Sequence, residues 1–277
     1  MRNGVPSKHF LLKLLQQIKW NYIVAPTATG TEQEDLASWI KAKRDNDKKT
    51  FKAVCDHQAA DHEGVINFCT ENIKTADNTY TALQYTARIA GILAGLSLDR
   101  SATYYTLSEV VSCDVYEDLE TRIDKGELHI FDEQDDMGVK IARACNSLTT
   151  FTTDHGQKFR KIKIIEAKDF ITDDIRDTFK KYYVGKIIND YPHKMLFIAA
   201  ILVYFNGLKG NVLDVDAENS VAIDYDFQRN YAILDGADVD NLSEQEIIRY
   251  NTGDEVGLVG NIKLVDAMEN LTINFTM

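Results

Sequence analysis

Val139-Lys-Ile-Ala-Arg-Ala-Cys-Asn-Ser-Leu-Thr-Thr-Phe151, continued by Lys161-Ile-Lys-Ile-Ile165 and by Asp169 to Ile188, is the stretch whose reading decides the fold. The first piece is β-branched and partly alternating, as a half-buried strand is. In the second, Lys161 and Lys163 alternate with Ile162 and Ile164, which predicts a strand with its lysines toward water and its isoleucines toward a core. From Asp169 the period lengthens: Ile171, Ile175, Phe179 and Tyr182 recur at helical spacing. Asp173, Asp174 and Asp177 near the start of that helix and Lys180 and Lys181 near its end complement the helix dipole.

Working outward to the N-terminal side, Ser7 predicts a cap for a helix running to about Lys19, followed by a short strand, Tyr22-Ile-Val-Ala25. Glu32 to Arg44 reads as a helix with Leu36, Trp39 and Ile40 inward. Phe51 to Cys55 and Val65 to Cys69 read as apolar strands. Strand, helix, strand with continuously apolar strands predicts a βαβ unit and a parallel sheet. Tyr80 to Leu96 predicts a longer helix sealing one face of that sheet. The parallel α/β patterning stops near Asp99, which suggests a domain change there, with residues 1–98 on one side and 99–277 on the other.

On the far side, Tyr116 to Gly126 reads as a short helix ended by glycine. Leu128 to Phe131 and Val139 to Leu148 read as a hairpin across the acidic turn Asp132 to Asp136. Met195 to Leu208 is the most apolar helix and should be central to a second core. Val221 to Ile223 predicts a strand, Asp226 to Leu234 a helix, and Ser243 with Glu246 a capping box. Val256, Leu258, Ile262 and Leu264 then alternate on even positions, and Leu271, Ile273 and Phe275 on odd ones. A parity switch between them requires a turn or bulge, because a one-residue slip exchanges the two faces. The terminal strand Leu271-Thr272-Ile273-Asn274-Phe275 pairs either locally or with a sheet edge on another chain.

Composition narrows the function. The chain has 277 residues and a formal net charge of −12, which opposes a nucleic-acid surface. Lys41, Lys43, Arg44, Lys48, Lys49 and Lys52 form a basic cluster, but Asp45 and Asp47 dilute it to a solvated helix end. No apolar run reaches membrane-spanning length. Cys55, Cys69, Cys113 and Cys145 lie far apart without a Cys-x-x-Cys pair and read as reduced, mostly buried thiols. Asp56-His57 with Asp61-His62-Glu63 is the most metal-like cluster, on a loop after a strand where α/β enzymes keep their sites. It lacks a matched ligand spacing such as His-Glu-x-x-His, and solvated loop residues explain it without an ion. Cys55 is too close to His57 in sequence for a convincing dyad. No Gly-x-Ser-x-Gly, Walker or Gly-x-Gly-x-x-Gly motif occurs. Asp173 and Asp174 are explained by the first turn of their helix. The residues therefore call for no catalytic, metal or cofactor-binding set.

Several of these stretches carry a family resemblance. Asn146-Ser-Leu-Thr-Thr150, Lys161-Ile-Lys-Ile164, Asp173-Asp-Ile-Arg-Asp-Thr-Phe179 and Tyr182-Tyr-Val-Gly-Lys-Ile187 closely resemble the contractile tail sheath proteins of myophages and phage-tail-like bacteriocins. Arg88 to Leu96, Ser101 to Tyr105, Asp118 to Glu127, Asn251 to Gly253 and Ile262 to Leu271 are similar to further family segments, in order over most of residues 20–277. The resemblance implies a fold that is α/β, and α+β overall. Residues 1–98 would be the C-terminal half of a subtilisin-like α/β sheath domain, and residues 99–277 an α+β sheath C-terminal domain with a terminal strand arm. Because family members usually carry a longer N-terminal portion, the chain is expected to be a fragment or a shortened relative.

The resemblance also implies function: a structural, non-enzymatic subunit that polymerises helically around an inner tube and contracts to drive the tube through a cell envelope. Its implied partners are further copies of itself, through terminal-arm strand addition, the tail tube protein, and baseplate and terminator proteins, with no nucleic acid and no membrane. Its implied location is a virion tail or phage-tail-like particle assembled in the bacterial host cytoplasm. The rival readings are an α/β hydrolase or metal-dependent enzyme using the Asp56–Glu63 loop, and a simple binding module docking its terminal strand on one partner.

Overall fold

Local sequence sets the first helix boundaries. The computed structural model describes residues 8–153 and 155–276, so the Ser7 cap lies outside it. Helix α1 covers Lys8–Leu15 and strand β1 covers Tyr22–Ile23. Thr29 caps α2 (Gly30–Asp45) through a reciprocal pair: its hydroxyl accepts from Glu32 N at 3.4 Å, and Glu32 Oε2 accepts from Thr29 N at 2.8 Å. Thr81 and Gln84 repeat the device at α3 (Ala82–Gly95). Between them run β2 (Lys52–Asp56), β3 (Val65–Phe68), β4 (Ile73–Thr75) and β5 (Thr79–Tyr80). After α3 come β6 (Val110–Ser112), α4 (Leu119–Asp124), β7 (Glu127–Leu128), β8 (Ile130–Asp132) and β9 (Val139–Ile141).

The expected parallel sheet is present, in the order β1-β2-β3-β7, with every pairing parallel. Alternation along β2 and β3 sends side chains to opposite faces. Val54, Ile66 and Phe68 pack with Tyr85, Ile89, Ile92 and Leu93 of α3. Ala53, Cys55 and Val65 pack with Leu36, Ala37 and Ile40 of α2. Trp20, Trp39 and Phe51 stack beside that second cluster, with Trp20 and Phe51 centroids 4.0 Å apart. Each large side chain so buried contributes about 1.5–3 kcal/mol.

The domain change expected at Asp99 is not where the chain leaves this unit. The first compact unit runs to Ile165 and the second from Glu166 to Met277. The pattern does change near Asp99, yet β7 returns to the parallel sheet beside β3, so residues beyond Asp99 complete the fold begun before it. The hairpin across Asp132–Asp136 forms between β8 and β9, with Ile130 opposite Ile141. Its Lys140 is buried, ion-paired to Glu133 at 2.8 Å and Asp135 at 2.5 Å, and lies over the Tyr104 and Phe131 rings. Gly126 closes α4 at φ 81, where a Cβ would lie 2.8 Å from Ser147 O, so only glycine fits that turn.

Of the two strands expected in the opening stretch, the first is shortened and the second is absent. The Val139–Phe151 strand stops at Ile141 because Asn146 and Ser147 bind backbone instead of continuing a ladder. Asn146 Nδ2 donates to Phe159 O at 2.7 Å, Ser147 Oγ donates to His62 O at 3.0 Å, and Ser147 N donates to Val65 O at 2.8 Å. Lys161 makes one bridge to Cys145, and Ile162 already begins α5 (Ile162–Tyr182). Four alternating residues fit a helix as well when Ile165, Ala167 and Ile171 follow at helical spacing. Ile162, Lys163, Ile164 and Ile165 are all buried, so Lys163 does not face water as expected. Arg44 and Lys52 are buried too, which leaves the basic cluster no continuous surface.

The second unit contains most of α5, then α6 (Tyr191–Leu208), β10 (Ser220–Ile223), α7 (Tyr225–Leu234), α8 (Glu244–Ile248) and β11 (Leu258–Asn261). Strands β10 and β11 form a two-stranded antiparallel sheet. The capping box expected at Ser243 and Glu246 is formed. Phe197, Ile198, Ile201 and Phe205 make the buried face of α6, while Leu196 and Val203 are exposed. The most apolar helix thus fills a core with one face only.

Candidate assembly interface

The terminal stretch offers no local strand. Residues 262–276 contain no strand among the described residues; beyond β11, Leu264 makes one bridge to Leu213. Leu271, Ile273 and Phe275 are 83%, 57% and 87% exposed. The alternation on odd positions is therefore unused within the chain. In the same unit, the two-stranded sheet has no further strand on either outer edge among the described residues, and an unpaired edge is a template for a further strand. Val259 on β11 is also exposed.

A second feature of this unit is a cleft of about 430 Å3, walled by Phe179, Tyr183, Phe197 and Val256. On its floor Lys194, only 5% exposed, donates to Thr252 Oγ1 at 2.9 Å and Gln228 Oε1 at 3.2 Å. Burial pushes the Lys194 ammonium below the usual lysine value. Asn189 also lines the cleft and donates through Nδ2 to Gly253 O and Glu255 O, both at 2.9 Å. Its Oδ1 is buried without a hydrogen-bond partner. Sequence reading missed both residues, although Lys194 left a signal as the lone Lys, Arg, Asp or Glu in the helix YPHKMLFIAAILVYFNGL.

The Asp56–Glu63 loop does not form one site. Its five candidates divide among separate networks. Asp56 Oδ1 lies 2.6 Å from His57 Nδ1, and Glu71 Oε1 is 3.9 Å from the same nitrogen. Asp56, His57 and Glu71 could hold a cation by their proximity, but Glu71 Oε2 also accepts from Ala82 N at the start of α3. His62 accepts from Gly64 N at Nδ1, which leaves Nε2–H to donate to Asp45 at 3.2 Å. Glu63 pairs with buried Arg44 at 3.3 Å. Asp61 reaches the other way, accepting from Thr149 N, Thr150 N and Thr149 Oγ1 at 2.6, 2.8 and 3.0 Å.

Burial is the largest single influence on the Asp61 carboxyl and raises it, but the bonds from Thr150 and Thr149 together outweigh it and hold it well below the usual carboxylate range. The clasp therefore stabilises fully above the ordinary carboxylate value of about 3.9 and is lost as pH falls through the lower folded value. Asp61→Ala is expected to cost about 1 kcal/mol in urea denaturation at pH 7, the exposed position discounting a charged hydrogen-bond set.

Other reactive groups are quenched. Burial pushes the Cys55 thiol up to about 12, and no disulfide joins the four cysteines. Buried His129 is held below the usual imidazole value by burial, against the opposing pull of Glu127. Its two nitrogens are taken by Thr70 Oγ1 at 3.1 Å and Glu127 Oε2 at 2.8 Å. No helix among the described residues is long and apolar enough to cross a membrane.

Known proteins match this architecture. Residues 9–160 match the family model of the phage tail sheath protein central domain, and residues 154–277 that of the phage tail sheath C-terminal domain. A tail sheath protein of Clostridium phage phiCD119 is 35% identical over 269 residues, which is 96% of this chain and 74% of that protein. The solved sheath tail protein of Desulfitobacterium hafniense has a TM-score of 0.67 at 25% identity, covering 79% of this chain and 54% of that one. The Lin1278 sheath tail protein of Listeria innocua gives 0.71 at 21% identity, covering 92% and 59%. The contracted helical sheath of the anti-feeding prophage shares the fold, with a TM-score of 0.70 at 15% identity over 96% of this chain and 72% of that one. The chain thus spans little more than half the length of the first two solved proteins. Two adjoining family matches, a common fold and a relative over nearly the whole sequence lead to one conclusion: the chain belongs to the phage tail sheath family.

Proposed function

We propose that the chain is a structural sheath subunit that polymerises helically around an inner tube and shortens to drive that tube through a cell envelope. The observation that carries this reading is the exposed, alternating, unpaired segment Leu271–Phe275 in a unit whose small sheet keeps unpaired edges. A strand added between subunits bonds through the main chain, which lets rigid bodies turn about the junction without breaking it. The partners in this reading are further copies of the chain, the tail tube protein, and baseplate and terminator proteins. The location is a virion tail or tail-like particle put together in the host cytoplasm. The formal charge of −12 suits a basic tube surface.

Electron microscopy of sheaths assembled on the tube, before and after triggering, tests the contraction. Two lengths built from one subunit fold are expected. A single fixed length under all conditions would overturn the contractile part of the reading. The metal-dependent alternative has little to stand on, since its loop residues are divided among structural networks.

A further inference from the structure

Strand addition leaves the Lys194 cleft unexplained. Lys194 Nζ carries three N–H groups and donates to two neutral acceptors, with no carboxylate at ion-pair distance among the described residues. Asn189 Oδ1 has no partner, and exchanging the amide atoms does not repair this, because Nδ2 faces two carbonyl oxygens. A buried cation without a counter-charge and an orphaned buried acceptor each cost stability. Both line a cavity within the size range of ligand sites. Its rim adds exposed Val184, Ile187 and Ile188, an apolar border of the kind that marks an interface. An occupant that fits brings a carboxylate for Lys194, an N–H for Asn189 and an apolar side chain for the wall of Phe179, Tyr183 and Phe197.

The turn of the β8–β9 hairpin offers all three in two residues. Asp136 is exposed, and neither its carboxylate nor its N–H makes a hydrogen bond within the chain. Met137 beside it is 50% exposed, with a flexible thioether that suits an aromatic wall. Val215 and Asp216 are a similar pair, but Asp216 N already donates to Asp214 Oδ1 and its carboxylate lies in the field of Lys263. Charge on a larger scale agrees. Residues 132–137 carry four carboxylates, of which Lys140 engages Glu133 and Asp135. Lys180, Lys181 and Lys186 are interleaved in sequence with the cleft residues and, with Lys194, outnumber Asp190 and Asp254 there. In a chain of net charge −12 such a basic stretch favours an acidic partner surface. Cleft and hairpin are different patches of one chain, so a contact between them across copies is heterologous and propagates.

We propose that the Lys194 cleft of one subunit receives the β8–β9 hairpin turn of a second copy, with the Asp136 carboxylate on Lys194, the Asp136 N–H on Asn189 Oδ1 and the Met137 side chain against Phe179, Tyr183 and Phe197. This rests on the sheath reading above and deepens it: a side-chain socket joins the copies as well as an added strand. The socket sets specificity, since a strand edge alone accepts many sequences.

The test traps the contact in the intact chain with a short bismaleimide, using Gln134→Cys on the hairpin and Ile188→Cys on the cleft rim, both exposed positions. The doubly substituted chain is expected to give a ladder of covalent oligomers, because each copy offers both halves of the contact. Gln134→Cys combined with Val203→Cys, exposed further along α6, should give none. Adding Asp136→Asn changes an exposed residue that makes no bond within the chain, so the fold tolerates it, and the ladder should form at least about tenfold more slowly. Lys194→Met should slow it as much, and the two together no further, because both remove one interaction. No ladder, an equal ladder from the Val203 pair, or a ladder unmoved by Asp136→Asn overturns the socket. Cross-linking of the Ile188→Cys chain to the tube protein in place of a second copy would overturn it too. Striated tubes from a chain that gives no ladder would sink this inference and leave the sheath reading standing. A ladder with the expected dependence on Asp136, from a chain that forms no tubes, would do the reverse.

Discussion

Removal of Leu271–Phe275 is expected to abolish polymerisation while leaving the subunit folded. The three large side chains of that segment are exposed. Among the described residues, Leu271–Thr276 makes no hydrogen bond within the chain. Nothing in the core is therefore lost, and the melting curve should shift by no more than about 0.5 kcal/mol, the range of ordinary surface changes. Assembly loses its main-chain bonds between copies, so sedimentation should find monomer where the intact protein pellets. Normal polymers from the deleted protein would contradict the role of the segment as an arm.

The second large effect is expected inside the first unit. Glu63→Ala removes the carboxylate from a pair in which both side chains are nearly buried and leaves Arg44 charged in a low-dielectric site. Breaking such a pair costs about 3–5 kcal/mol. In contrast, His57→Ala, half-exposed and bound to Asp56 at the surface, should cost under about 1 kcal/mol. Denaturant midpoints of the two variants give the comparison. The order matters for function as well as stability. If the Asp56–Glu63 loop were a metal centre, chelation would mimic either substitution. Equal costs, or a chelator effect on the intact protein, would revive that reading.

Much of the first unit was legible because its strands are fully buried. Continuous apolar runs such as Val65 to Phe68 admit few alternatives once a capped helix with Leu36 and Ile40 on one face lies beside them. Capping boxes at Ser243 and the acidic hairpin at Asp132–Asp136 are local events and were readable for that reason. The stretch from Ala142 to Ile165 was misread because its burial does not come from alternation. Asn146 and Ser147 are buried through side-chain bonds to segments up to 85 residues away, which no window of sequence displays. The change of unit was misplaced for a similar reason. β7 is a two-residue strand, Glu127–Leu128, that rejoins a sheet begun at Tyr22. The candidate interface divides in the same way. The odd-numbered alternation at Leu271, Ile273 and Phe275 was plain. The Lys194 cleft was not, because it is built from three separate parts of the chain, around residues 179–189, 193–197 and 253–256.

The central claim is that this chain is built to polymerise as a sheath, and negative-stain electron microscopy of the protein, expressed alone and with its neighbouring tail proteins, tests it most directly. Striated tubes of uniform width are the predicted result. Discrete particles under both conditions would contradict it.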